Sequence, residues 1–156
     1  MQRFEDKDAM RAWSRRQRAD GARVAFVPTM GYLHEGHLSL VREAASRCDR
    51  VVVSIYVNPT QFAPDEDFDV YPRDMEGDLA KLRALNVDAV FLPRNLYGSK
   101  EHPQGSRTWV DVMDLTATLC GESRPHFFRG VTTVVTKLLH IVEPDVAIFG
   151  QKDYQQ

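Results

Sequence analysis

Cysteine is scarce in this chain: Cys48 and Cys120 are the only two in 156 residues, with no CxxC spacing and too few partners for a disulfide framework. Both are expected to be reduced and structural. No apolar run approaches the roughly 18 residues of a membrane helix, and the first twenty residues are charged throughout, without the apolar stretch of a signal peptide. A cytoplasmic location follows as the expectation. Charge of one sign is also missing, because 20 Lys and Arg stand against 22 Asp and Glu for a formal net charge of −2. That balance exerts no overall pull on nucleic acid or an anionic bilayer, so any phosphate recognition must come from a local site. The expected partner is a small molecule, with no nucleic acid and no membrane.

What remains is ordinary globular material: 43% hydrophobic and 27% charged residues, without internal repeats or low-complexity tracts. The length suits one domain over residues 1–156. Four apolar runs stand out, Val24 to Val27, Val51 to Val57, Ala89 to Leu92 and Val146 to Phe149. Each is nearly continuous rather than alternating, the pattern of parallel strands covered on both faces. Helical periods separate them. Leu38, Val41 and Ala45 share one face, and Met75, Leu79, Leu82 and Leu85 another. Val131, Val134, Val135, Leu138, Ile141 and Val142 form the longest stripe, closed by Pro144. Arg3 to Arg18 reads as a leading helix, Pro93 to Arg107 as a long loop, and Thr108 to Val112 as an extra strand. Strands alternating with amphipathic helices predict an α/β fold, a doubly wound parallel sheet.

In such sheets ligands bind beyond the carboxyl ends of the strands. Three polar clusters fall on that rim. The first run leads into Pro28-Thr29-Met30-Gly31-Tyr32-Leu33-His34-Glu35-Gly36-His37, the second into Asn58-Pro59-Thr60-Gln61-Phe62, and the fourth into Gly150-Gln151-Lys152-Asp153-Tyr154-Gln155-Gln156. His34 and His37 stand three apart where a loop turns into a helix, so their rings project from nearly the same face. The free N–H groups of that first turn favour phosphate, and Gly36 lets a nucleotide approach the backbone. A nearby phosphate would raise an imidazole pKa and make it a charged donor. Surface histidines and half of a zinc site are the other readings of HxxH. Zinc needs further ligands, and His102, His126 and His140 show no convergence on the pair. The acidic run Asp65, Glu66, Asp67, Asp69 is most simply a solvated loop. Lys152 can reach phosphate oxygens, with Asp153 holding it or accepting from hydroxyls. Gln61 and Gln156 can orient a hydroxy acid without a second buried charge. Taken singly, each of these is also an ordinary surface residue.

Together the residues resemble a known family. PTMGYLHEGHLSLV at Pro28 to Val41 is similar to the signature of pantothenate synthetases, members of the HxGH superfamily of Rossmann-like nucleotidyltransferases. VNPTQF at Val57 to Phe62, YPRDMEGDL at Tyr71 to Leu79 and FRGVTTVVTKLLHIVEPDVAIFGQKDYQQ at Phe128 to Gln156 narrow it, in order and spacing. The resemblance implies a Rossmann-like HxGH nucleotidyltransferase-type fold and a ligase that joins pantoate to β-alanine through a pantoyl-adenylate made from ATP with Mg²⁺. It implies that Pro28 to His37 and Gly150 to Asp153 line the ATP site. His34, His37 and Lys152 would be the catalytic contacts to the phosphates, with His37 as proton donor and Asp153 near the ribose. Gln61, Gln156, Met30 and Phe62 would hold pantoate, and Gln61 also β-alanine. No protein side chain is expected to ligate a metal, and a homodimer is implied.

Departures accompany the resemblance. Pro125-His126-Phe127-Phe128-Arg129-Gly130 stands where the family often has Pro-Gly-His-Phe-Arg-Gly, and Gln151 where Glu is common. Family members continue past the position of Gln156 into a phosphate-contacting Ser-Ser-Arg-Asn type motif and a C-terminal lid domain. The chain is therefore expected to be a truncated form with a formed pantoate pocket, a half-built ATP site and weak or absent ligase activity. Two other readings share part of the signal. A nucleotidylyltransferase acting on a phosphorylated acceptor would want basic residues in place of Gln61 and Gln156, and a non-catalytic binding or dimerisation fragment would not turn over at all.

Overall fold

The computed structural model describes residues 1–62, 68–98, 105–124 and 127–156. Five parallel strands form one sheet: β1 (Gln2–Phe4), β2 (Val24–Thr29), β3 (Arg50–Ile55), β4 (Ala89–Phe91) and β5 (Val146–Ala147), in the spatial order β1-β4-β3-β2-β5. Among the described residues five α-helices accompany them: α1 (Lys7–Ala19), α2 (Glu35–Arg47), α3 (Met75–Ala84), the short α4 (Cys120–Ser123) and α5 (Phe127–Val142).

Strand side chains alternate between two cores. Val24, Phe26, Val52 and Phe91 pack with Met10 and Trp13 of α1 and with Val134, Leu138 and Ile141 of α5. Ala25, Val27, Val53 and Val90 pack with Val41 and Ala44 of α2 and with Leu79 and Leu82 of α3. Burial on both faces is why these strands read as continuous apolar runs, and it makes the sheet doubly wound. Pro28 sits inside β2 opposite Ser54 of β3, yet β5 pairs with β2 only at Ala25 and Phe26. The proline therefore stands where one side of the strand has no partner, and its missing N–H breaks no ladder bond.

Several expectations need correction. The predicted leading helix Arg3 to Arg18 is a strand, β1, followed by a helix that starts only at Lys7, with Asp6 accepting from the Asp8 and Ala9 N–H groups as its cap. Three residues are too few to show a period, so β1 leaves no signal of its own. Thr108 to Val112 forms no strand; the Thr132 and Thr133 side chains of α5 bond both backbone groups of Val110 in place of a neighbouring strand. Ala45 is exposed and Ala44 buried, because α2 begins at Glu35 and turns its apolar stripe by one position. Met75, in the first turn of α3, is 42% exposed. Residues 65–67, 102, 125 and 126, the subject of the acidic-run, histidine and altered-turn readings, lie outside the described residues.

The topology fixes where ligands can enter. From β2 the chain steps to β3 and β4 on one side and reaches β5 on the other, so the order reverses between β2 and β5. At such a switch point the loops after the two strands diverge and leave a crevice.

Candidate active site

A cleft of about 610 Å³ opens at that crevice, within the range of small-molecule sites. Its wall brings together Pro28, Thr29, Met30, His34, Gly36 and His37 after β2, Gln61 and Phe62 after β3, and Gly150, Gln151, Lys152, Asp153 and Gln156 after β5. Of the residues singled out in the sequence, Gly31, Tyr32, Leu33 and Glu35 do not line it. Leu33 is 3% exposed in the core, Tyr32 turns outward, and Glu35 pairs with Arg42 on the surface of α2.

The first turn of α2 sets the histidines. His34 is the N-cap: its Nδ1 accepts from the Gly36 N–H at 3.1 Å, while the His34 N–H donates to His37 Nδ1 at 3.4 Å. An accepting Nδ1 leaves the proton of a neutral ring on Nε2, so both rings keep an Nε2–H donor for a ligand. Their centroids are 4.1 Å apart. Burial, then the positive influence of His34 and Lys152, pushes the His37 pKa below its ordinary value, opposed by Asp78 and Asp153. The free site therefore holds a neutral His37 at neutral pH beside the Lys152 ammonium. A triphosphate would reverse that bias.

On the opposite wall a 3₁₀ turn, Gln151–Asp153, follows β5. Lys152 Nζ lies 2.5 Å from Asp153 Oδ1, which also accepts from Gln156 Nε2 at 3.2 Å. Lys152 stays 73% exposed, a cation presented to the cleft with its counter-ion beside it.

Gln61 is aimed by residues to which the sequence alone assigned no role. Asn58 is 1% exposed; its Nδ2 donates to Gln61 Oε1 at 2.9 Å and to the Gly130 carbonyl at 3.1 Å. Its Oδ1 accepts from the Tyr97 hydroxyl at 2.8 Å and from Thr60 Oγ1 at 3.0 Å. With Oε1 engaged, Gln61 offers a ligand its Nε2–H donors, a choice suited to a carboxylate or hydroxyl oxygen. Arg124 Nη2 donates to the Gln61 carbonyl at 2.9 Å and its guanidinium covers Phe127, 4.1 Å from the ring centroid. A β-carbon on Gly130 would meet the Thr60 carbonyl oxygen at 2.3 Å, so only glycine lets α5 close on the Gln61 turn. The apolar floor comes from Tyr56 and from Val131, Val134, Val135 and Leu138 of α5. The helical period of α5 was visible in sequence; that Val131, Val134, Val135 and Leu138 of that buried stripe also line the cleft was not. Phe62, Phe68 and Tyr71 meet edge to face at 5.3 and 5.8 Å beside the opening.

Comparisons with known proteins identify the family. The sequence model of the pantoate-beta-alanine ligase family matches residues 2–156. A pantoate-beta-alanine ligase of Lotus japonicus is 53% identical, with 97% of this chain and 56% of the relative aligned. A pantothenate synthetase of Pelotomaculum thermopropionicum is 58% identical over 94% of this chain and 51% of the relative. The solved pantoate-beta-alanine ligase of Francisella tularensis, complexed with beta-gamma ATP and beta-alanine, superposes with a TM-score of 0.88 at 38% identity, covering 100% of this chain and 59% of that one. The chain thus spans about half the length of the curated relatives it matches.

Proposed function

The chain belongs to the pantoate-beta-alanine ligase family, and from that premise we propose that its cleft serves the ATP-dependent condensation of pantoate with β-alanine to pantothenate. The observation that carries this reading is the meeting, at one switch point, of two imidazoles, a lysine and two neutral glutamines. Cationic and N–H donors suit a triphosphate; oriented amides above an apolar floor suit a hydroxy acid with a gem-dimethyl group. A nucleotidylyltransferase would need cations for its phosphorylated acceptor where Gln61 and Gln156 stand.

In this reading the pantoate carboxylate, held by Gln61 and Gln156 with Met30 and Phe62 against its methyls, attacks the α-phosphorus of ATP. Pyrophosphate leaves as the acyl-phosphate bond forms. The β-alanine amine then attacks the acyl carbonyl, loses a proton, and AMP departs. His34, His37 and Lys152 stabilise the charge that spreads over the phosphoryl oxygens, with His37 as proton donor to the departing group. Pro28 to Met30, Gly36 and Gly150 to Gln151 hold the nucleotide, and Asp153 accepts from its ribose. No protein nucleophile is needed.

Mg²⁺ is expected to travel with ATP. Asp153 is the carboxylate of the cleft wall among the described residues, and its Oδ1 accepts from Lys152 and Gln156. Among the described residues no three His, Cys, Asp or Glu side chains are grouped to hold an ion. The donors present do not by themselves build a metal site, so the ion would depend on phosphate oxygens, and no step above runs through it. The same reading carries a cytoplasmic homodimer. No helix among the described residues is long and apolar enough to cross a membrane.

The test is to incubate the protein with ATP, pantoate and β-alanine and follow AMP and pantothenate together. One AMP per pantothenate is expected. Pyrophosphate release that requires a phosphorylated acceptor in place of pantoate would overturn the reading.

A further inference from the structure

A carboxylate outside the cleft wall grips the loop that delivers the histidines. Asp78, in α3, is 1% exposed. Its oxygens accept from two consecutive backbone N–H groups, Oδ2 from Tyr32 at 2.7 Å and Oδ1 from Leu33 at 2.6 Å. Lys81, on the next turn of α3, donates to the Leu33 carbonyl at 2.7 Å and stands 3.8 Å from Asp78. Three backbone groups of the β2–α2 loop are thus fastened by two side chains of another helix.

The loop requires such fastening. Gly31 and Tyr32 have φ of +87° and +52°, and the left-handed conformation costs a non-glycine residue roughly 1 kcal/mol. Two consecutive residues of that hand turn the following N–H groups towards α3, where an unpartnered pair would be buried at high cost. A charged acceptor answers both together. Leu33 is followed directly by His34, the N-cap of α2, so its place decides that of both imidazoles. Asp78 is also a negative group acting on His37, with Asp153, against the positive His34 and Lys152.

We propose that Asp78, held by Lys81, is a positioning residue for the His34–His37 pair: it locks a strained loop so that the first turn of α2 faces Lys152 across the cleft. The proposal rests on the ligase reading for its kinetic consequence and on geometry alone for its structural one.

Asp78→Asn and Lys81→Met in the full protein test it by steady-state kinetics and by NMR titration of the histidine Cε1–H signals. Asp78→Asn, which sets an amide NH₂ against a backbone donor, is expected to lower kcat on the order of 10²-fold, with KM for β-alanine unchanged to within about twofold. His37 should then titrate at lower pH than in the wild type. Lys81→Met should lower kcat about tenfold and melt with the wild type. Wild-type kcat and an unmoved His37 in Asp78→Asn would overturn the proposal, as would a Lys81→Met protein with wild-type kcat if Asp78→Asn does not fold. Pyrophosphate release that requires a phosphorylated acceptor in place of pantoate would instead overturn the ligase reading, and the histidine titration would still decide the role of Asp78.

Discussion

The two rims of the sheet use acidic side chains for opposite purposes. At the amino rim, aspartates close the sheet: Asp145 accepts from the Val24 N–H at 2.7 Å, Asp49 from Arg23 at 2.8 Å and Asp88 from Val51 at 2.8 Å. Glu143 ties α5 to α1 there by accepting from Arg15 and Arg18 at 2.6 Å. At the carboxyl rim, Asp78 and Asp153 hold a loop and a lysine so that other groups stay open: two Nε2–H donors, the Gln61 amide and a largely exposed ammonium. One rim consumes its hydrogen-bonding capacity internally, and the other organises it for a ligand. Acidic residues therefore do not by themselves distinguish a site from a seam; what they hold in place does.

Mutations should separate the rims. The largest effect is expected of His37→Ala, a loss of about 10² to 10³ in kcat, with weaker binding of an ATP analogue. The wild type should also take up a proton on binding that analogue near pH 6.5, because phosphate raises a pKa that burial and Lys152 hold down. Calorimetry in two buffers of different ionisation enthalpy reads that proton, and undiminished affinity in the mutant would refute the phosphate contact. Gly130→Ala should come next, costing about 2–3 kcal/mol of stability as the new methyl drives Thr60 away, and raising KM for pantoate by displacing Gln61. Denaturant melts and initial rates would show both.

At the amino rim the effects should be smaller and confined to stability. Asp145→Ala is expected to lose about 1.5 kcal/mol with kcat unchanged; a fall in kcat matching that of His37→Ala would erase the contrast. Glu143→Gln should lose about 1 kcal/mol, and its pH dependence carries the sign. The Arg15 and Arg18 guanidiniums hold the Glu143 carboxyl down to about 2, against an ordinary 4.5. Its contribution is present above the ordinary value and fades as pH falls towards about 2, because the unfolded chain binds the proton first. Urea melts of wild type and variant should converge across that window.

Strands β2 to β5, the α5 stripe and the three rim clusters were legible in sequence, because double burial and helical period leave a pattern of side chains along the chain. The α2 N-terminus was legible too, since His34, Gly36 and His37 sit within one turn. The roles of Asn58, Tyr97 and Asp78 were not. Each looks like a polar loop or helix residue until partners far along the chain, Gly130, Thr60, Tyr32 and Leu33, are brought beside it. β1 was missed because its three residues pair with β4 from a distant part of the chain.

By itself, the sequence determined the parallel α/β class, the family resemblance and the chemical kinds of group on the rim, because these depend on local order and spacing. Only the tertiary structure decided which of them share a cleft, which nitrogen of each imidazole is presented, and which carboxylate holds the loop. Those outcomes depend on contacts between residues tens of positions apart, and strand order, which no local pattern encodes, brings them together.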